Sequence, residues 1–226
     1  MKNIVILISG RGSNFEAILE ASRAEQWESA VPARIAAVIS NRPLAKGLET
    51  ARREGIDAIA VDHTLYPDRE SFEEELGRVV DRYNNPGEMT LYMVIIVLAG
   101  FMRILTEKFV KPREGRILNI HPALLPLFKG LNTHERALEA GVRVHGSTVH
   151  FVSAALDGGA IIGQAVVPVL PSDTPDTLAA RGLKLEHVIY PKVCRAVLED
   201  RVKLVDGKAV MDDETARSLA VFSNEL

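Results

Sequence analysis

Asn119 and His121 stand two residues apart in the apolar run Leu118-Asn119-Ile120-His121-Pro122-Ala123-Leu124-Leu125-Pro126, and Asp157 follows later in Leu156-Asp157-Gly158-Gly159. In a strand, residues i and i+2 share a face, so an amide donor and a titratable imidazole would point the same way from one strand end. The prolines cannot donate to a sheet ladder, so the strand stops there and the chain leaves as an irregular loop. Such strand ends are where open α/β sheets carry their chemistry. A neutral hydrogen-bond donor thus stands next to a titratable ring, with the carboxylate of Asp157 later in a glycine turn. Taken alone, Asn-x-His fits a capped turn and a core histidine equally well.

The elements that must hold these residues follow a βαβ rhythm. Residues 3 to 9 are apolar and β-branched on both faces, which predicts a central parallel strand. Gly10-Arg11-Gly12-Ser13-Asn14 then turns into a helix with Phe15, Ile18 and Leu19 as its stripe, and Ser13 with Glu16 predicts a capping box. Free amides at that helix N-terminus favour a phosphate, although a plain tight turn fits a lone Gly-x-Gly as well. Phe15 stands where a dinucleotide fingerprint has its third glycine, there is no Gly-Lys-Ser/Thr, and strand two (Ile35 to Ser40) ends in Asn41-Arg42 instead of an acid. A monophosphate ester is favoured over NAD or ATP, with Arg42 keeping a weak NADP reading open.

Further along, Leu44, Leu48 and Ala51 predict a second helix stopped at Gly55, and Asp57 to Val61 a short strand. Asp68 caps a third helix with Arg69 in its first turn and Phe72, Leu76, Val79, Val80 and Tyr83 as its stripe; Asn84 to Gly87 ends it. A strand over Tyr92 to Leu98 leads into Ala99-Gly100-Phe101-Met102-Arg103-Ile104-Leu105, a strand end suited to a flat organic ligand. A short capped helix over 106 to 111, the strand Arg116 to Ile120, a helix Thr133 to Ala140, and strands Gly146 to Val152 and Ile161 to Val169 follow. Thr174-Pro175 opens a long helix that Pro191 is expected to break or kink, and Arg201 to Val210 reads as a hairpin over Asp206-Gly207. No pattern continues after Met211. The expectation is an α/β fold, a Rossmann-like, mostly parallel twisted sheet with helices on both faces and a small C-terminal hairpin: one domain over 1–210 and a tail over 211–226.

Composition limits the classes. With 47% hydrophobic and 25% charged residues and a net charge of −3, the chain has no general basic field for nucleic acid. The longest apolar run is too short for a membrane span. A single cysteine, Cys194, and a first strand that begins at once suggest a cytoplasmic protein. Cys194 reads as a buried thiol and His63 as structural; His134-Glu135 lacks the second histidine of a zincin pattern, and no metal site is expected.

The segments Ile-Ser-Gly-Arg-Gly-Ser-Asn at 8 to 14, Leu-Ala-Gly-Phe-Met-Arg-Ile-Leu at 98 to 105, Asn-Ile-His-Pro-Ala-Leu-Leu-Pro at 119 to 126, His-Gly-Ser-Thr-Val-His-Phe-Val at 145 to 152 and Leu-Asp-Gly-Gly at 156 to 159 closely resemble the phosphoribosylglycinamide formyltransferase family, folate-dependent enzymes of purine synthesis. The resemblance runs over residues 3 to 205. It implies the formyltransferase fold and direct transfer of a formyl group from the co-substrate 10-formyltetrahydrofolate to the glycinamide amine, without a metal. In that chemistry Asn119 and a protonated His121 stabilise the oxyanion. A carboxylate nearby favours the cationic imidazole, a role Asp157 fits while assisting proton transfer. By similarity the Gly12, Ser13 and Asn14 amides hold the substrate phosphate and Glu186 the ribose hydroxyls. Folate would contact Arg69, Met102, Arg103, Ile104, Leu105, Asn119 and the loop Ser153, Ala154, Ala155, Leu156 and Asp157. Small-molecule partners only, and a monomer or homodimer, are implied.

Some positions depart from the family pattern. Leu183 stands where many of its members place a polar or cationic phosphate contact, with Lys184 beside it; Asn132 replaces a histidine of some members; and the loop around Pro86 to Met89 is longer than usual. The family also has a cis peptide at the position of Leu125-Pro126. A formyltetrahydrofolate hydrolase would carry an extra N-terminal domain and a methionyl-tRNA formyltransferase an extra basic C-terminal one, for which the chain has no room. A non-catalytic ligand-binding protein would not need Asn119, His121 and Asp157 together.

Overall fold

A computed structural model describes residues 1–84 and 94–223. The chain forms an α/β fold with a mostly parallel sheet and divides into two compact units, Met1–Leu118 and Asn119–Leu226.

In the first unit, strand β1 (Lys2–Ile8) leads through the glycine turn into α1 (Ser13–Ala24) and a short α2 (Trp27–Ala30), then β2 (Ala33–Ser40), α3 (Lys46–Arg53) and β3 (Asp57–Ala60). Helix α4 (Arg69–Asp81), β4 (Val94–Leu98) and α5 (Glu107–Val110) complete it. The strand order is β4-β1-β2-β3, all parallel. β1 has a neighbour on each side, and Ile4, Val5, Ile6, Leu7 and Ile8 have no exposed surface. Complete burial of each such side chain stabilises the fold by about 1.5–3 kcal/mol, and it explains why this stretch is apolar on both faces.

Strand β5 (Ile117–His121) crosses the boundary of the two units. The second unit continues with α6 (Thr133–Glu139), β6 (Val144–Phe151), β7 (Ile161–Pro168), α7 (Pro175–Leu198), the hairpin β8 (Lys203–Val205) and β9 (Lys208–Val210), α8 (Asp213–Ser218) and β10 (Ala220–Phe222). Its strand order is β10-β7-β6-β5, with β6 and β7 antiparallel and β10 parallel to β7. The hairpin turn uses left-handed Asp206 (φ 49°) and Gly207 (φ 73°), the pair expected for a two-residue connection.

Several local expectations are corrected. The capping box at Ser13 does not form: Gly12 is the N-cap (φ 78°, ψ 37°), Ser13 is already helical, and Glu16 accepts a 3.3 Å bond from the Thr50 hydroxyl. Leu44 precedes α3 and is 94% exposed, so it is not part of that helix's buried stripe. Thr106 lends α5 no side-chain cap because its hydroxyl donates to the Glu73 carboxylate. Pro191 does not break α7, which runs to Leu198. A proline deletes one backbone bond of the helix, and here Ile189, Tyr190, Pro191, Val193 and Cys194 are all buried, so packing holds the segment helical. The end after Met211 is also patterned: Asp212 accepts from Thr215 N to start α8, and β10 adds a strand beside β7. The capping of α4 by Asp68 (2.8 Å to Ser71 N) and the start of α7 after Thr174 are as expected, and Thr174 forms in addition a capping box with Thr177. The loop expected over Pro86 to Met89 and the start of the strand at Tyr92 lie outside the described residues.

Truncation of the β1 core tests how much the fold depends on it: Ile6→Ala should destabilise the protein by about 2–5 kcal/mol, read as a lowered midpoint in chemical denaturation with the slope unchanged.

Candidate active site

In the second unit, β5 delivers Asn119 and His121 to its end and the β6–β7 connection delivers Asp157. Asp157 has φ 46°, a left-handed conformation that aspartate tolerates better than most residues. Its Oδ2 accepts a 2.9 Å bond from Gly130 N–H and lies 3.4 Å from His121 Nδ1; its Oδ1 lies 4.0 Å from His150 Nε2. The side chains of His121 and Asp157 are 7% and 9% exposed, so this pair meets in little water and is weakly screened.

His121 Nε2–H donates to the Phe128 carbonyl at 2.9 Å. With Nδ1 toward Asp157, both nitrogens face acceptors, an arrangement that serves two N–H donors. The Phe128 carbonyl is thus the partner of Nε2–H, and the Asp157 carboxylate faces Nδ1. His150, which sequence reasoning did not single out as a site residue, completes the cluster. Its Nδ1–H donates to the Phe151 carbonyl at 2.8 Å, which leaves Nε2 to accept from Asn119 Nδ2 at 3.2 Å. Burial lowers the His150 pKa, opposed by the Phe151 carbonyl and the Asp157 charge. A neutral His150 thus fixes which way the Asn119 amide faces and leaves the second amide N–H to donate elsewhere. The quoted motif His145 to Val152 held the only clue: His150 lies on β6, buried along nearly its whole length. Gly130 and the Phe128 carbonyl act through the backbone and left no side-chain signal.

The loop is closed by glycines. A Cβ on Gly159 would lie 1.7 Å from the Phe151 carbonyl oxygen, so only glycine lets the connection that carries Asp157 return to the sheet. Ser153 Oγ donates to the Ala155 carbonyl at 3.3 Å, and Leu156 is 51% exposed. Leu125-Pro126 is cis.

Glu186 sits buried on α7 and accepts a 3.1 Å bond from the Ser147 hydroxyl. Near it the rings of His134 and His145 meet edge to face at 5.2 Å, and Phe128 packs on His145 at 5.9 Å. Burial lowers the His134 pKa, against the pull of Glu186. Burial pushes His145 down to about 4, helped by His134 and His121 and opposed by the Pro122 backbone. Cys194 is buried on the same helix, and burial pushes its thiol far up, which leaves it inert at neutral pH.

In the first unit, Gly12, Ser13 and Asn14 form the N-terminus of α1 as expected. A cleft of about 300 Å³ is lined by Ser9 to Asn14, Arg42, Ala99, Gly100 and Met102, so Arg42 and the glycine turn share one cavity. The turn is backed by Gly47, which sequence reasoning missed. Gly47 N–H donates to the Gly10 carbonyl at 3.1 Å, and a Cβ there would meet the Ile8 side chain at 2.4 Å. Arg69 opens α4, and the Arg103 guanidinium lies 5.9 Å from the Phe72 ring. Met102 and Ile104 are 66% and 54% exposed, whereas the Leu105 side chain is buried in the core. His63 has a structural partner, donating from Nδ1 to the Asn41 carbonyl at 2.8 Å. Among the described residues, no group of three or more His, Cys, Asp or Glu side chains is arranged to hold a metal, and no helix is long and apolar enough to cross a membrane.

An α/β chain with an amide, an imidazole and a carboxylate at the ends of its strands matches the formyl transferase family model over residues 2–194, and the chain belongs to that family. It is 42% identical to the phosphoribosylglycinamide formyltransferase of Escherichia coli over 94% of each chain, and 41% identical to that of Haemophilus influenzae over 100% of each. Among solved structures, glycinamide ribonucleotide transformylase 1 from Symbiobacterium toebii superposes with a TM-score of 0.84 at 43% identity, covering 94% of this chain and 95% of that one.

The histidines make stability fall with acid. The folded pKa of His145 lies below the unfolded value of about 6.5, so the neutral ring stabilises the fold above that pH. This contribution is lost as pH falls from there toward about 4, by roughly 1 kcal/mol per pH unit. Denaturation midpoints measured between pH 7 and 5 should fall less steeply in His145→Phe than in the wild type.

Proposed function

We propose that the protein is a phosphoribosylglycinamide formyltransferase. It moves the formyl group of 10-formyltetrahydrofolate directly to the amine of 5'-phosphoribosylglycinamide, giving formylglycinamide ribonucleotide and tetrahydrofolate in purine biosynthesis. The observation that carries this reading is the Asp157 carboxylate set against His121 and His150, with His150 holding the Asn119 amide. The relatives named for this activity, which match it over nearly their whole length, support the same reading.

In the reaction the amine nitrogen attacks the formyl carbon and the carbonyl oxygen becomes an oxyanion. The free Asn119 N–H stabilises that charge, and His121 adds a second donor once its Nε2–H leaves the Phe128 carbonyl. The amine then loses a proton, and the folate nitrogen takes one as its bond to the formyl carbon breaks. Asp157, facing His121, stabilises the imidazolium and passes the amine proton through water. Burial of the pair strengthens both effects. The reading treats residues 1–210 as one catalytic domain. Within it the Gly12, Ser13 and Asn14 amides bind the substrate phosphate with Arg42 nearby, and Glu186 binds the ribose hydroxyls. Arg69, Met102, Arg103, Ile104, Leu105 and the loop 153–157 bind the folate.

The test is release of tetrahydrofolate from 10-formyltetrahydrofolate with and without the ribonucleotide. Release should require the ribonucleotide; equal release without it would make the protein a hydrolase. Asp157→Asn should lower kcat by about a hundredfold or more while both substrates still bind in equilibrium titrations. Substituting His121→Ala should likewise abolish turnover and leave binding intact.

A further inference from the structure

We propose that Glu73 is a positioning residue that fixes the folate-binding segment 102–105, an inference that rests on the functional reading above. Residues 102–105 lie between β4 and α5 with no helix or strand of their own. Each end is held by a side-chain acceptor on a backbone N–H. At the start, Met102 N donates to Ser9 Oγ at 2.8 Å, and Ser9 in turn donates to Asn41 Oδ1 at 2.6 Å. At the far end, Thr106 N lies 3.0 and 3.1 Å from the two Glu73 carboxylate oxygens, and the Thr106 hydroxyl also donates to Glu73.

Glu73 is only 4% exposed. A carboxylate is costly to bury, and its neighbours on the inner face of α4 are Phe72, Leu76, Val79 and Val80, so packing alone would favour an apolar side chain there. The group it serves is the backbone just after the folate segment. One residue earlier on α4, the Phe72 ring supports the Arg103 guanidinium, and the same helix carries Arg69 in its first turn. Glu73 therefore ties the segment that bears Arg103 to the helix that bears Arg69. Between the two clamps Met102 and Ile104 are exposed and Leu105 is buried, and Phe101 just before the first clamp is buried as well. A segment held this way meets its ligand without first being ordered, which lowers the entropic cost of binding.

Glu73→Gln is nearly isosteric, but it sets an NH2 against a backbone N–H and a hydroxyl that both donate. Steady-state kinetics of the full chain, with each substrate varied in turn, should show KM for 10-formyltetrahydrofolate raised about tenfold. KM for the ribonucleotide, and kcat at saturating folate, should stay within about a factor of two. Thr106→Val, which removes one of the donors, should raise the folate KM in the same direction, and Thr106→Ser, which keeps both, should behave as wild type. Thermal melting of each variant reports on folding. An unchanged folate KM in Glu73→Gln overturns the inference, as does a parallel loss in all three parameters together with a lowered Tm, which would mark a general structural role. If the wild type itself transfers no formyl group from the folate to the ribonucleotide, the functional reading fails and this inference falls with it.

Discussion

A single carboxylate in a left-handed turn ties the second unit together at its chemical end. Asp157 reaches the loop after β5 through Gly130 N–H, the end of β5 through His121, and β6 through His150. A buried charge of this kind is retained where donors converge on it, here Gly130 N–H and the His121 ring. The turn that carries it returns to the sheet through Gly159, where the Phe151 carbonyl leaves no room for a side chain. Each of these contacts limits the others. The ring of His121 cannot turn without giving up either Phe128 or Asp157, and the Asn119 amide is kept facing one way by a histidine that is itself held by a backbone carbonyl.

The first unit solves a different problem, that of presenting backbone groups. Its central strands β1 and β4 are covered so fully that their ends are the natural places for a ligand. There the chain uses close backbone approach instead of charge: Gly12 in a left-handed conformation starts α1, and Gly47 lets α3 press on the same turn. Where irregular backbone must stay in place, buried polar side chains hold it. Ser9 with Asn41 does so at one end of the 102–105 segment and Glu73 at the other.

Two departures from the family pattern have local explanations. Asn132 has φ 55° as the residue before α6, a conformation that asparagine adopts more readily than most side chains. Leu183 is 38% exposed on α7, so an apolar side chain there costs little, and its neighbour Lys184 remains the nearer source of charge in sequence.

What could be read from the chain alone was whatever depends on short-range pattern. The buried strand at residues 3 to 9, the cap at Asp68, the hairpin at Asp206-Gly207 and the helix start at Thr174-Pro175 follow from side-chain periodicity and turn chemistry. Asn119 and His121 stand out as polar groups in an apolar run, Asp157 is picked out by the quoted motifs, and those motifs identified the family. The failures share a cause. Ser13 lost its cap to the backbone conformation of Gly12, and Pro191 stayed helical because its neighbours are buried. The end after Met211 gained a strand because β7 had an edge to offer. Only the tertiary structure could decide that His150 orients Asn119, that Phe128 holds His121, and that Glu73 serves Thr106. Those pairings join residues distant in sequence or act through carbonyl and amide groups, which every residue carries and no sequence pattern marks.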